Sequence, residues 1–158
     1  MPVKPIPEGY QTVIPSLAID GAAEAIDFYK RAFGASERSR MPGPDGMIAH
    51  AEIEIGDSVV MLSDPFPQAS TRPPTELGGT SVGLFIYVED VDATFQKATG
   101  AGAETLMEPD DMFWGDRFGT LRDPFGHTWS FATHIEDVAP EEIAERSRQF
   151  MESMAGSS

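Results

Sequence analysis

His50 and Glu52 stand two residues apart in Ile48-Ala-His-Ala-Glu-Ile-Glu-Ile55, a stretch in which apolar and polar residues alternate. On a strand that alternation puts His50, Glu52 and Glu54 on one face, and Ala51, Ile53 and Ile55 on the other. A carboxylate beside an imidazole suits proton abstraction in a shielded cleft, with Glu52 as base and His50 as its partner. The same pair is too small to hold a metal by itself. His127 and His134 are an odd number of residues apart, so a regular strand turns them to opposite faces. The chain has no cysteine, which excludes a thiolate nucleophile, a zinc–thiolate site and a disulfide framework together.

The elements around these residues come twice. An apolar segment, Thr12 to Ile19, ends at Asp20-Gly21, with Pro15 suited to a strand edge or bulge. Ala22, Ala25, Ile26, Tyr29, Ala32 and Phe33 then form a helical stripe closed by Gly34. Residues 36–42 and 48–64 read as three strands, with a hairpin at Gly56-Asp57. After a Pro- and Gly-rich stretch without periodicity, Val82–Val88 reads as a strand. Val91, Thr94, Phe95 and Ala98 stripe a helix ending near Gly100–Gly102, and strands follow at about 104–112, 117–122 and 127–134. Ile19 and Val88, Ile26 and Phe95, and Leu62 and Phe131 are each 69 residues apart. A long period occurring only twice predicts a duplicated module with two sheets around one cleft.

The expected fold class is therefore α+β: two paired βαβββ modules forming a curved mixed sheet around a cleft, plus a C-terminal helix. The first module spans 8–64, a connector 65–79, the second module 80–138 and the final helix 139–156. That helix is announced by Pro140, Glu141 and Glu142 at its start and by Ile143, Phe150 and Met154 at helical spacing. At 158 residues and 41% hydrophobic content the chain can bury one core without staples. With 26 acidic against 11 basic residues, its net charge of −15 repels phosphate backbones, which argues against nucleic acid as a partner. No apolar run approaches the ~20 residues of a membrane span. Met-Pro-Val-Lys-Pro-Ile-Pro lacks the apolar stretch of a secretory signal, so a cytoplasmic location is expected.

Leu17-Ala-Ile-Asp-Gly-Ala-Ala-Glu-Ala-Ile-Asp-Phe-Tyr29, Phe33-Gly34 and Asp123-Pro-Phe-Gly-His-Thr-Trp129 resemble the vicinal oxygen chelate superfamily of glyoxalases, dioxygenases and bleomycin-resistance proteins. Trp114-Gly115 and Thr133-His-Ile-Glu-Asp-Val138 resemble its PhnB-like branch. The resemblance covers roughly residues 10–138. It implies paired βαβββ modules and a homodimer, and the connector is long enough to let modules exchange between chains. Asp123-Pro-Phe-Gly126 itself reads as a structural hairpin: Asp caps the turn, Pro fixes φ and Gly supplies the special backbone.

Metal-dependent members place one ligand on the first and one on the last strand of each module. Carried onto this sequence, those positions are Ile14, Met61, Gly83 and Ser130. The 69-residue repeat relates them in two pairs, Ile14 with Gly83 and Met61 with Ser130. None is a ligand for Zn, Ni or Fe(II), which want imidazole or carboxylate. No metal and no cofactor is therefore expected.

Strand alternation gives the residues of the expected ligand cleft: Ser16, His50, Glu52, Met61, Ser63, Phe85, Tyr87, Phe118, Thr120, Ser130 and His134. Trp114 and Arg117 lie on a loop able to close its mouth. Aromatic faces beside carboxylates suit a planar or cationic organic ligand. The expectation is a metal-free binding protein that holds a small cationic or aromatic molecule. The alternative is an enzyme of the glyoxalase I or dioxygenase type, a lyase or dioxygenase, with a displaced metal or acid–base chemistry through Glu52 and His50.

Overall fold

Leu17, Ile53, Val60 and Leu62 join the core under the helices while their neighbours take the opposite face of the sheet, and this alternation builds the first sheet. In a computed structural model describing residues 2–156, β1 (Ser16–Ala18), α1 (Ala22–Phe33), β2 (Ser36–Pro42), β3 (Ile48–Ile55) and β4 (Ser58–Ser63) form the first module. After a short helix α2 (Pro74–Leu77), the second consists of β5 (Gly83–Tyr87), α3 (Val91–Ala101), β6 (Glu104–Asp111), β7 (Asp116–Arg122) and β8 (Thr128–His134). α4 (Pro140–Gly156) follows. The strands make two four-stranded mixed sheets, ordered β1-β4-β3-β2 and β5-β8-β7-β6, each with one parallel pair.

The repeat extends to register. Ser16 pairs with Met61 and, 69 residues on, Phe85 pairs with Ser130. α1 and α3 start 69 residues apart as well. The hairpins differ: a two-residue turn joins β3 to β4, whereas the longer Asp123–His127 turn joins β7 to β8.

One core serves both modules. Phe33 of α1 lies 4.8 Å from Trp129 and 4.9 Å from Phe131, both on β8, so the first module's helix packs on the second module's sheet. Phe95 of α3 meets Gly119 of β7, where a Cβ would stand 2.7 Å from its ring. Buried Asp123 ties the two together. Its Oδ1 accepts from the amides of Phe125 and His127, while Oδ2 accepts from the Tyr29 hydroxyl and the Trp129 indole. The hairpin role expected of Asp123 thus extends to the module junction.

One sequence expectation needs correction. The first strand was expected from Thr12, but β1 begins only at Ser16: Pro15 has no amide to donate, so the preceding residues leave the ladder. They cross the sheet instead, held where the Gln11 side chain exchanges two hydrogen bonds with the backbone of Val59. The connector also holds α2, begun by Pro74 and closed by Gly78. No helix among the described residues is long and apolar enough to cross a membrane.

Candidate functional site

The face of each sheet turned away from the helices carries the side chains able to do chemistry, and the two faces differ. On the first sheet, His50 and Glu52 of β3 lie beside Met61 of β4. The Tyr10 hydroxyl donates to Glu52 Oε1 over 2.6 Å, and His50 Nε2 lies 2.9 Å from Oε2. A register slip in β2 between Glu37 and Ser39 frees Arg38 to reach over the face. Its guanidinium sits 4.7 Å above the Tyr10 ring and donates to the Gly9 carbonyl. The Tyr10 hydrogen bond holds the Glu52 carboxyl below its ordinary value, against burial and with help from His50. Ile14 and Met61 line a small cavity of about 520 Å3 under Pro5, Ile6 and Tyr10. The expected His50–Glu52 pair thus exists, strapped by a segment that has no periodicity to betray it.

The second sheet's face is open and aromatic. Phe85 of β5 stacks on Phe118 of β7 at 5.5 Å and 15°. Tyr87 packs edge-on against Phe85 at 5.2 Å, and Trp114, on the β6–β7 loop, against Phe118 at 5.7 Å. Phe85 is 50% and Tyr87 62% exposed. Beneath them Ser130 exchanges a hydrogen bond with Thr120.

At the end of this platform stands Asp116, only 2% exposed. Its Oδ2 accepts from the Tyr87 hydroxyl at 2.8 Å and the Trp114 indole at 3.0 Å, and its Oδ1 lies 2.8 Å from His134 Nδ1. Burial would push its carboxyl up, but the hydrogen bonds from His134, Tyr87 and Trp114 together hold it low. His134 Nε2 lies 2.8 Å from Asp137 Oδ1. Both ring nitrogens face carboxylate oxygens, the pattern of an imidazolium, and the Asp116 bond, then Asp137, raises the imidazole above its ordinary value. Asp116 escaped the sequence reading although it shares the alternation of Phe118 and Thr120.

The residues expected to share a cleft therefore lie on two sheets within one chain: His50, Glu52 and Met61 on the first; Phe85, Tyr87, Trp114, Phe118 and Ser130 on or beside the second. Ser16 borders an open groove of about 2070 Å3 between β1 and β5, together with Phe85, Tyr87 and His134. Arg117 does not close a mouth. It alternates with Asp116 and Phe118, faces the other way, and pairs with Asp92 of α3 and Asp111 of β6. His127 is buried on the Ala18 carbonyl, and Trp129 lies in the core.

The four metal-ligand positions implied by the resemblance do not suit a divalent cation. Ile14 and Gly83 have no donor, Met61 offers a thioether, and the Ser130 hydroxyl is engaged with Thr120. Among the described residues no three His, Asp or Glu side chains are grouped to hold a metal ion.

Two mixed sheets over shared helices, the face of one strapped by the N-terminal segment and that of the other open, define an α+β protein of the glyoxalase-like class. Residues 12–131 match the model of the Glyoxalase/Bleomycin resistance protein/Dioxygenase superfamily, and the chain belongs to that family. An uncharacterised protein of Mycobacterium tuberculosis is 48% identical over 132 residues, covering 82% of this chain and 78% of that one. The crystal structure of TioX from Micromonospora sp. ML1 is 31% identical and covers 79% of this chain and 99% of its own, with a TM-score of 0.64. The PhnB protein of Bacillus cereus shares the fold at 18% identity and a TM-score of 0.61, covering 78% of this chain and 99% of that one.

Proposed function

We propose that this chain is a metal-free binding protein of the PhnB-like branch that takes a planar aromatic small molecule on the open face of its second sheet. The observation that carries this reading is the platform of Phe85, Tyr87, Phe118 and Trp114. Four rings touch in a chain, three on strands and Trp114 on the β6–β7 loop. Phe85 and Tyr87 are half-exposed, and a buried carboxylate at the platform's end holds Tyr87 and Trp114. Flat apolar area held in place loses little entropy when a flat ligand covers it. Glu52 supports binding over acid–base chemistry, because Tyr10 and His50 occupy its oxygens and leave it a weak base. The protein acts as a cytoplasmic homodimer in this reading. β1 and β5 are edge strands, and a second copy is the natural cover for such edges.

The test uses 2-naphthamide, a neutral planar probe, read by quenching of indole fluorescence. Trp129 is buried in the core and Trp114 borders the platform, so a Trp114→Phe variant assigns the signal. Saturable quenching is expected, weakened about tenfold in Phe85→Ala, which is about 1.4 kcal/mol of lost ring contact. No saturable binding, or equal binding by Phe85→Ala, overturns the reading. Stoichiometric metal in protein purified without chelator or metal-affinity tag overturns its metal-free part.

A further inference from the structure

We infer that the platform's ligand carries an anionic acceptor, a carboxylate or an acidic enol or phenol, and that His134 anchors it by displacing Asp137. The inference rests on the platform reading above and adds the chemistry of the anchoring group.

The net charge of −15 suggests a cationic ligand, but the local geometry says otherwise. A cation needs a carboxylate with free oxygen lone pairs. Asp116, the carboxylate at the platform's end, already receives three donors and is 2% exposed, so no ligand atom reaches it. Once Asp137 moves aside, what the cluster presents outward is a donor. Asp116 holds His134 through Nδ1, which aims Nε2 away from the sheet, and His134 lines the same groove as Phe85 and Tyr87. Nε2 is met there by the carboxylate of Asp137, whose side chain is fully exposed. An exposed ion pair is worth only ~0–1 kcal/mol, so Asp137 is easily exchanged for another acceptor.

The geometry of the exchange is compatible with stacking. Asp116 pairs with His134 two rows along from Phe118, Ala132 and Tyr87, so the two sets follow each other on the same face. A ring lying on Phe85 and Phe118 can therefore point a substituent along the strands, past Tyr87, toward the imidazolium. The chain's overall negative field opposes an anion at long range, but at about 8 Å per Debye length it is screened, and a charge-assisted contact is not.

Three isosteric probes decide it at about pH 6, below the ordinary imidazole value: 2-naphthoate, neutral 2-naphthamide and 2-naphthylmethylammonium. Naphthoate is expected to bind a few-fold tighter than naphthamide, the scale of one partly exposed charge-assisted contact. His134→Gln should reduce naphthoate to the level of naphthamide and leave naphthamide unchanged. Asp137→Asn, at a fully exposed position that cannot threaten folding, should strengthen naphthoate a few-fold by removing its competitor. Tightest binding of the ammonium overturns the inference, as does naphthoate binding that His134→Gln leaves intact or Asp137→Asn weakens. Equal binding of all three overturns the anchor while leaving the platform standing; binding of none overturns both.

Discussion

Asp64 and Thr133 hold equivalent places 69 residues apart: each accepts the first amide of its own module's helix. Asp64 Oδ1 takes the amides of Gly21 and Ala22 at 3.0 and 3.2 Å, and Oδ2 takes that of Ile48 at 2.7 Å. Thr133 Oγ1 takes the Val91 amide at 2.9 Å and donates to the Val88 carbonyl. The substitution of a carboxylate by a hydroxyl follows from the residue before each helix. Gly21 has no side chain to cap α1, whereas Asp90 caps α3 itself by accepting from Ala93.

Asp64→Ala should accordingly cost about 2–4 kcal/mol, since a helix loses its cap and the buried Ile48 amide loses its partner. Thr133→Val should cost about 1 kcal/mol. Urea unfolding of the two variants checks the order, and equal losses would show that the two caps are not used differently.

Tyr29→Phe tests the junction between modules. The hydroxyl is buried and donates over 2.5 Å to Asp123, whose Oδ2 also holds Trp129. Losing one hydrogen bond to a charged, buried acceptor should lower stability by about 1.5–3 kcal/mol. Unfolding should stay a single transition by near- and far-ultraviolet circular dichroism, because the modules share one core; two resolved transitions would contradict that core.

Gly115 sits at φ +104°, and a Cβ there would stand 2.2 Å from the Glu136 carbonyl oxygen. Its own carbonyl accepts from the amides of Ile135 and Glu136. Gly115→Ala should cost more than about 2 kcal/mol and loosen the segment carrying Asp137. Amide exchange of Ile135 and Glu136 should speed up, and unchanged protection would count against this tie.

Glu52 and His134 should give stability opposite pH dependences. The Glu52 carboxyl is held low when folded, so its contribution is present above the unfolded value of about 4.3 and lost as pH falls through the folded one. Tyr10→Phe should narrow its thermal-midpoint gap from wild type in acid. The His134 imidazole is held high, so its contribution is full below about 6.5 and lost as pH rises through the folded value. His134→Gln should differ most from wild type in acid and least in base. Gaps with the same sign of slope would refute the assignments.

The sequence by itself determined whatever alternation and repetition encode. Strand periodicity turned His50 and Glu52, and likewise Phe85, Tyr87 and Phe118, away from the core, though into one expected cleft that the structure divides between two sheets. The 69-residue spacing carried through to the register of Ser16 with Met61 and Phe85 with Ser130. Such patterns are legible because each strand must bury one face whatever it packs against. Tertiary structure alone decided that Tyr10 lies on Glu52, that Arg38 reaches over it, and that Asp116 gathers Tyr87, Trp114 and His134. These contacts join residues up to 42 positions apart, one from a segment with no period, and depend on a register slip and a loop. A buried carboxylate takes whichever donors the fold brings within 3 Å, and local sequence carries no record of which those are.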